Sequence, residues 1–383
     1  MTFNYRPSVL VFTALFSFVF LQNTLIAQEP PVSEFTVDKK DKTHWFDIKN
    51  LGVEGKGWTE TEDFFDRLPK KAKGVVRKPV WSLSKHSAGI AVRFVTNATS
   101  IKAKWELTSP SIAMNHMAAT GVSGLDLYVK TESGKWRWLA VGKPSQQKNS
   151  VSLTAGLPPG KREFILYLPL YNGVKSVEIG IPEASKLWKA PAREPGKDKP
   201  LIFWGTSITQ GGCASRTGMV HTAILGRRLN RPVINLGFSG NGRMEPEVAK
   251  LIAELDASVF IMDCLPNVTA DVVKKQTVPL VKTLRAAHPD TPILLVEDRT
   301  YSNAYLKKSS QERHRTSRLV LKEGYERLKK EGVKNLYYLE GNTLLGDDSE
   351  DTVDGSHPTD LGFFRQANAF EKVLKPILEQ HSK

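Results

Sequence analysis

The chain has 383 residues, which is long for one typical core and suits two domains. Its residues are 40% hydrophobic and 25% charged, proportions that are ordinary for a globular protein and exclude a largely disordered chain. The formal net charge is +14, but small lysine runs such as 70–71 and 329–330 are scattered among acidic residues. We therefore predict a solvated basic surface and no nucleic-acid partner. Such a surface could attract an acidic polysaccharide at long range.

Residues 1–27 have the pattern of a secretory signal peptide. Arg6 is the only charged residue, positions 9–20 are apolar, and the Leu-Ile-Ala sequence at 25–27 could precede a cleavage site. The apolar run is shorter than the roughly 20 residues that span a membrane. We therefore predict export with cleavage, and the alternative is an uncleaved anchor. The rest of the sequence contains no candidate for a membrane span.

Residues 34–182 alternate between apolar and polar positions, and turn residues interrupt them about every ten residues. This pattern predicts a β-sandwich of the jelly-roll kind without a long helix. The predicted strands are 89–96, 100–107, 125–130, 136–141, 162–168 and 174–180. Residues 183–198 contain Pro, Lys and Gly and are predicted to be a linker.

Residues 199–380 change to an alternation of strands and helices. The strands are short apolar runs, as expected for a parallel sheet that helices cover on both faces. Right-handed crossovers then give a three-layer, flavodoxin-like α/β domain. Strands are predicted at 200–205, 232–237, 258–264, 292–298 and 335–340. Helices are predicted at 217–230, 245–255, 270–288, 309–332 and 359–380.

Ser207 directly follows the first of these strands, where open α/β sheets place their ligands. Far downstream, Asp354 and His357 are three residues apart, so one turn can present both side chains. A serine, a histidine that takes its proton and an aspartate that orients the histidine make an activated nucleophile. Alternatively, the hydroxyl and glycine residues at 206–212 could hold the phosphate of a flavin mononucleotide. That site would have no need of the acid and the histidine.

Acyl transfer also needs hydrogen-bond donors for the oxyanion, and each is worth roughly two to three powers of ten in rate. Gly240 follows the second strand, in a loop that can turn its backbone N–H groups toward the site. Asn267 follows the third strand and offers a side-chain amide. The simpler interpretations are a turn at Gly240 and a helix N-cap at Asn267.

These separated blocks resemble those of the SGNH hydrolases, also called GDSL-type lipases and esterases. Residues 205–209 match the nucleophile block, Gly240 the glycine block, Asn267 the asparagine block and 354–357 the Asp-x-x-His block. The asparagine block usually reads Gly-x-Asn-Asp, whereas here the sequence at 265–268 is Leu-Pro-Asn-Val.

The resemblance implies a role for each matched residue. Ser207 would be the nucleophile, His357 the base and Asp354 its orienting acid. The oxyanion hole would consist of the backbone amides of Ser207 and Gly240 and the side chain of Asn267. The fold implied for 199–380 is the SGNH hydrolase domain.

The upstream half resembles a bacterial subgroup in which a β-sandwich precedes the SGNH domain. The resemblance rests on Phe-Asp-Arg-Leu-Pro at 65–69 and Gly-Leu-Asp-Leu-Tyr at 124–128. Asp126 and Tyr128 are expected to be structural. The Asn-His pair at 115–116 either reaches the rim of the active site or has a structural role.

Cys213 and Cys264 are the two cysteines, too few for a disulfide scaffold or a metal site. Both follow predicted strand ends, so they either form one disulfide or remain two buried thiols. No group of His or acidic residues has the sequence spacing of metal ligands, so we expect neither a metal nor a cofactor. The sequence does not indicate an oligomeric state.

We predict a secreted serine ester hydrolase that cleaves O-acyl esters, in particular acetyl esters, on a carbohydrate through an acyl-enzyme on Ser207. An ordinary α/β-hydrolase fits less well, because it needs Gly-x-Ser-x-Gly at a sharp turn and this chain has Gly-Thr-Ser-Ile-Thr. An acyltransferase or an acyl-chain esterase would use the same three residues. In another class, a non-catalytic protein that binds carbohydrate or flavin is an open alternative.

Overall fold

The computed structural model describes residues 1, 2, 4 and 30–381. The predicted signal peptide at 1–27 lies outside the described residues, apart from positions 1, 2 and 4. The elements below belong to one compact unit that begins at Pro31. Within the part of the chain that is described, no helix is both long and apolar enough to cross a membrane.

The N-terminal half contains two antiparallel sheets that face each other. One has the strand order β1-β2-β10-β5-β8 and the other β11-β4-β9-β6-β7, with β3 also on β4. The strands are β1 (Thr36–Asp38), β2 (Thr43–Asp47), β3 (Val53–Glu54), β4 (Ala91–Thr96), β5 (Ile101–Leu107), β6 (Leu125–Lys130), β7 (Trp136–Gly142), β8 (Lys148–Thr154), β9 (Arg162–Tyr167), β10 (Val174–Pro182) and β11 (Leu187–Lys189). Two short helices, α1 (Lys78–Leu83) and α2 (Ala119–Val122), lie in the connections.

The alternation in sequence explains the sandwich. In β5 the residues at 101, 103, 105 and 107 are buried, while those between them are half-exposed. The buried set joins Phe94 and Phe164 of the opposite sheet in one apolar core. Because successive side chains of a strand point to opposite faces, this pattern buries one face of each sheet.

Each of the six predicted sandwich strands corresponds to an observed one, β4 to β7, β9 and β10. Five observed strands were not predicted: β1, β2, β3, β8 and β11. β11 lies inside the predicted linker and pairs with β4, and its Leu187 and Trp188 are buried. The chain at 187–189 is therefore an edge strand. The predicted domain boundaries at 182 and 199 stay predictions.

The C-terminal half is a three-layer α/β structure around a parallel sheet with the order β13-β12-β14-β15-β16. Its strands are β12 (Leu201–Gly205), β13 (Val233–Gly237), β14 (Val259–Asp263), β15 (Ile293–Val296) and β16 (Leu336–Leu339). Its helices are α3 (Ser207–Gln210), α4 (His221–Leu229), α5 (Pro246–Ile252), α6 (Ala270–Ala287), α7 (Lys308–Lys330) and α8 (Asp360–Gln380). This is the flavodoxin-like order, which confirms the predicted fold class.

Helices cover both faces of this sheet. In β12, Ile202 and Trp204 enter the core with α5, α6 and α7, and Leu201 and Phe203 enter the core with α4 and α8. All five residues of β12 are buried. Ligands of such a sheet bind outside the carboxyl ends of its strands, and β12 delivers Ser207 to that edge.

The two halves share a buried contact built around the Gly-Leu-Asp-Leu-Tyr block. Tyr128 and Tyr167 of the sandwich lie in one apolar cluster with Val220 of the α/β half. Asp126 is fully buried and accepts hydrogen bonds from Trp138 Nε1, Arg216 Nη1 and the backbone N–H of Gly218, each at 2.8 Å. Asp126 therefore joins the sandwich to the segment after Ser207.

Candidate active site

The first element of the site is the turn that presents Ser207. Gly205 ends β12, and a side chain there would collide with Thr209 Oγ1, 2.0 Å from the position of its Cβ. The Thr206 side chain caps α3 by accepting the Ile208 N–H at 3.3 Å. Ser207 is the first residue of α3, and the N–H groups of a first helical turn have no intrahelical acceptor. The Ser207 N–H is thus available at the carboxyl edge of the sheet.

His357 and Asp354 lie on one loop, as the three-residue spacing predicts. Ser207 Oγ lies 2.7 Å from His357 Nε2, and His357 Nδ1 lies 2.7 Å from Asp354 Oδ2. Asp354 Oδ1 accepts the N–H groups of Ser356 and His357 at 3.0 and 2.8 Å. When Nδ1 donates to the carboxylate, the neutral imidazole has its lone pair on Nε2, facing the serine hydroxyl.

Hydrogen bonds also set the charge of the acid. Partial burial alone would raise the pKa of Asp354, but the N–H groups of His357 and Ser356 and the His357 ring outweigh it and lower the pKa. The carboxylate is therefore held in its charged form. Asp354 does not cap the last helix, because Thr359 has that role.

The glycine block at 238–242 packs directly on the turn that presents Ser207. The Phe238 N–H donates to Gly205 O at 3.0 Å, and a Cβ on Gly242 would lie 2.1 Å from the same oxygen. Gly240 has φ +67 and is exposed, with nothing within 4 Å of where a Cβ would be. A left-handed residue of this kind favours glycine.

Asn267 reaches the same loop from the end of β14. Its Oδ1 accepts the Gly242 N–H at 3.2 Å. Its Nδ2 has no acceptor among the described residues and remains a free donor. The 3-10 turn Leu265–Asn267 carries this side chain, so the Asn267 interpretation as an N-cap is wrong, since α6 begins after Thr269.

Arg67, from the Phe-Asp-Arg-Leu-Pro block, was not assigned a role from the sequence. It is 1% exposed, and its hydrogen-bond acceptors among the described residues are all backbone carbonyls. Its acceptors are His86 O at 2.8 Å, Asn235 O at 3.0 Å, Gly237 O at 2.8 Å and Leu83 O at 2.7 Å. Burial without a carboxylate partner lowers the pKa of Arg67 to about 9. Arg67 thus fixes the end of β13, from which the glycine block begins.

Gln210 adds a second link between the sandwich half and the glycine block. Its Nε2 donates to Leu170 O and lies 3.0 Å from His86 Nδ1, and its Oε1 accepts the Ser239 N–H at 3.0 Å. Burial, together with the nearby Arg67, lowers the pKa of His86 to about 4, so that the neutral ring can accept at Nδ1. Two side chains therefore hold the loop that carries Gly240: Arg67 at Gly237 and Gln210 at Ser239.

A buried ion pair lies beneath α3. Arg299 Nη1 and Nη2 donate to the two oxygens of Asp263 at 2.5 and 2.6 Å, and both side chains are fully buried. Thr209 donates to Asp263 Oδ2 at 3.0 Å, and Gln366 Oε1 accepts from Arg299 Nε at 2.8 Å. The pair connects the turn that presents Ser207 to the end of β14 and to α8.

These contacts bear on the flavin alternative. The Thr206 hydroxyl caps α3, the Thr209 hydroxyl binds Asp263, and the Ser207 hydroxyl faces His357. The three hydroxyl groups that a flavin phosphate would need from the turn at 206–209 are already engaged by protein groups.

One cluster of carboxylates in the described chain is close enough to share a metal ion: Glu62, Asp63 and Asp66. Lys85 Nζ lies 2.7 Å from Glu62 Oε2 and 2.6 Å from Asp66 Oδ2, and Lys73 Nζ lies 2.6 Å from Glu62 Oε1. The two lysines offset part of the charge of the three carboxylates, and nothing else in this cluster indicates a bound metal.

The cysteines do not form the disulfide that the sequence left open. Cys213 and Cys264 are both free and buried. Burial raises the pKa of the Cys213 thiol to about 11 and that of Cys264 well above its usual value, in each case with a smaller contribution from a nearby aspartate. Both are therefore neutral, unreactive thiols at neutral pH.

Comparison with known proteins agrees with this fold. A family profile described as GDSL-like Lipase/Acylhydrolase family matches residues 198–375, and one described as the N-terminus of Esterase_SGNH_hydro-type matches 43–187. A crystal structure from Bacteroides ovatus ATCC 8483, described as a GDSL-like lipase, is 36% identical with a TM-score of 0.83, and the match covers 88% of this chain and 98% of that chain. A comparison with curated proteins gives no match.

Two more distant structures share the fold. Salicylyl-acyltransferase SsfX3 from a tetracycline biosynthetic pathway is 17% identical over 90% of this chain and 97% of its own, with a TM-score of 0.66. An acetyl xylan esterase (Est2A) from the rumen bacterium Butyrivibrio proteoclasticus is 12% identical over 88% of this chain and 99% of its own, with a TM-score of 0.56.

The fold and its relatives define a carboxylic ester hydrolase. The chain belongs to the GDSL-like lipase/acylhydrolase family, the SGNH hydrolases, and carries the Gly-x-Asp-Leu-Tyr N-terminal half of one of its subgroups. The resemblance inferred from the separated sequence blocks is confirmed.

Proposed function

We propose that Ser207 is the nucleophile of an esterase reaction that proceeds through an acyl-enzyme. The observation that carries the proposal is the unbroken hydrogen-bond chain from Asp354 through His357 to the Ser207 hydroxyl. His357 Nε2 takes the hydroxyl proton as Oγ attacks the ester carbonyl. The tetrahedral intermediate then collapses, and His357 returns the proton to the departing alcohol.

Water completes the cycle. His357 removes a proton from a water molecule, the resulting hydroxide adds to the acyl-enzyme carbonyl, and Ser207 leaves with the proton held by His357. The carboxylic acid is the second product. The negative oxygen of both tetrahedral intermediates would be bound by the backbone N–H groups of Ser207 and Gly240 and by Asn267 Nδ2, because these donors belong to three segments that contact one another.

For the substrate we propose an O-acyl group, in particular acetyl, on a carbohydrate outside the cytoplasm. The signal pattern at 1–27 supports export. The net charge of +14 suits an acidic or envelope-associated polysaccharide. The fold shared with an acetyl xylan esterase is compatible with this class of substrate.

The test is hydrolysis of p-nitrophenyl acetate by the wild type, Ser207→Ala and His357→Ala. Each substitution is expected to lower kcat by roughly 10³-fold or more. Ser258→Ala is the matched control, because its hydroxyl binds Pro200 O at the opposite, amino end of the sheet. Equal rates for the wild type and Ser207→Ala would refute the assignment.

Acyl length and acceptor need separate measurements. A series of p-nitrophenyl esters from acetate to octanoate tests the preference for a short acyl group, and acetylated glycans test the alcohol. The fold is shared with an acyltransferase, so the products formed with an excess of sugar should be analysed as well. Free acetate as the main product supports hydrolysis, and a new sugar ester supports transfer.

A further inference from the structure

A tight turn of the sandwich half projects beside the catalytic histidine. Met114 and Met117 exchange both backbone hydrogen bonds, each at 3.2 Å, and so form a two-residue hairpin. The residues at its tip are Asn115 and His116, and both are exposed. The His116 ring lies 6.1 Å from the His357 ring, centroid to centroid, in an edge-on arrangement.

The base of the turn is anchored to the α/β half. Met117 is 4% exposed and belongs to the cluster that contains Ile208 and Ala214. The backbone at Gly121 is so close that a Cβ there would lie 2.1 Å from Ala214 O. Thr120 donates to Ser215 O. The turn is therefore held in place against the segment that follows Ser207.

The tip has one polar atom with no partner. His116 Nδ1 lies 2.7 Å from Asn115 Oδ1, and because that oxygen can only accept, Nδ1 carries the proton. His116 Nε2 has no hydrogen-bond partner among the described residues. In the neutral ring this nitrogen is an acceptor, so it can receive a hydrogen bond from a hydroxyl group of a ligand.

The chemistry of the proposed reaction indicates which half of the ester lies near His116 Nε2. His357 delivers a proton to the departing oxygen, so the alcohol half of the ester must lie against His357. The oxyanion donors contact the carbonyl oxygen instead. A residue that packs edge-on against His357 is therefore on the side of the alcohol.

We propose that the turn at 114–117 forms a subsite for the alcohol half of the ester, with His116 Nε2 accepting a hydrogen bond from a hydroxyl next to the esterified oxygen. The ligand is then a polyhydroxy alcohol, such as a pyranoside that carries an ester beside a free hydroxyl. Asn115 fixes the tautomer that makes Nε2 the acceptor. The inference rests on the proposed role of Ser207.

The experiment measures discrimination between two esters with the full-length protein. One is a methyl pyranoside with a single acetyl group beside a free hydroxyl, and the other is its deoxy counterpart, which lacks that hydroxyl. In the wild type the ratio of their kcat/KM values is expected to be about 2 to 12, the worth of one hydrogen bond. In His116→Ala the ratio is expected to fall to about one.

Two variants sharpen the result. His116→Gln places an amide oxygen near the position of Nε2 and should restore part of the discrimination. His44→Ala removes another histidine of the sandwich, one that stacks on Phe35, and should leave the ratio as in the wild type. Thermal unfolding of each variant confirms that it is folded.

Each outcome decides the proposal. A wild-type ratio of one, or a ratio that His116→Ala leaves unchanged, would overturn the subsite while Ser207-dependent hydrolysis of p-nitrophenyl acetate still stood. If Ser207→Ala hydrolyses that ester as fast as the wild type, the proposed function fails, and the subsite fails with it.

Discussion

Replacing His221 by Phe should change how the stability of the fold depends on pH. The His221 ring is fully buried and stacks on Phe363 and Phe370, with centroid distances of 5.8 and 5.4 Å, while Phe203 packs edge-on at 5.6 Å. Neither ring nitrogen has a hydrogen-bond partner among the described residues. Burial, with a contribution from Arg299, lowers the pKa of His221 well below its usual value.

The sign of the effect follows from the two states. The folded protein holds His221 neutral, whereas in the unfolded chain a histidine titrates near 6.5. The stability associated with the neutral ring is therefore complete above pH 6.5 and is lost as the pH falls below it. When the pH falls from 8 to 5, protonation of His221 stabilises the unfolded state relative to the folded state by about 1.4 kcal/mol for each pH unit below 6.5, or about 2 kcal/mol in all.

The assay is reversible urea unfolding of the wild type and His221→Phe at pH 8 and pH 5. Going from pH 8 to pH 5, the wild type should lose about 2 kcal/mol of unfolding free energy through His221, whereas Phe cannot be protonated and the variant should not. The free energy of unfolding of the variant minus that of the wild type should therefore be about 2 kcal/mol higher at pH 5 than at pH 8. Any packing cost of the larger ring is the same at both pH values and cancels. His44→Phe makes the same chemical change at a half-exposed position.

The reasoning is refuted if the difference between His221→Phe and the wild type is the same at pH 5 and pH 8. That result would mean that the folded protein accepts the proton as readily as the unfolded chain does.

Three further substitutions test the supports of the candidate site. Arg67→Lys cannot satisfy four carbonyls, so it should loosen the glycine block and lower kcat by up to about 10²-fold with little change in KM; a raised KM with kcat unchanged would contradict the positioning role. Asp263→Asn leaves the Arg299 charge buried without compensation and should lower the free energy of unfolding by about 3–5 kcal/mol, measured in urea. Asp354→Asn keeps an oxygen for the N–H groups of Ser356 and His357 but turns an NH2 group toward His357 Nδ1, which opposes the required tautomer. It should lower kcat by up to about 10⁴-fold with unaltered thermal unfolding; retention of full activity would show that the acid is dispensable.

The sequence predicted the parts of the fold that buried apolar strands define. The five strands of the parallel sheet match prediction closely, because most of their residues are apolar and turn residues bound them. β6 of the sandwich also matches, because apolar and polar residues alternate in its sequence. β8 was missed because only two of its residues, Val151 and Leu153, are apolar, too few for the alternation of its exposed and buried positions to stand out in the sequence. The helix α3 was missed because four residues are too few to show a helical period.

Some residues of the candidate site could be predicted from the sequence and others could not. Ser207, Asp354 and His357 could be found, because each residue type is needed for its chemistry and the acid and base share one turn. Arg67 could not be found in this way, since all four of its acceptors are backbone oxygens and two of them lie about 170 residues downstream. Every residue type has a backbone carbonyl, so the sequence does not indicate which carbonyls accept hydrogen bonds from Arg67, and only the structure shows them. His221 escaped notice for a related reason, because its surroundings are aromatic rings brought together by packing.

The hydrogen bonds of Asp126 have a consequence for how this protein can be altered. A side chain of the sandwich holds the segment that follows Ser207, and the same sandwich supplies Arg67 to the end of β13. Separating the sandwich from the parallel sheet would therefore leave an α/β half whose backbone acceptors at the end of β13 lack a donor and whose turn at Ser207 is loosened. The β-rich half is a structural component of the catalytic half, and a graft or a truncation has to carry both together.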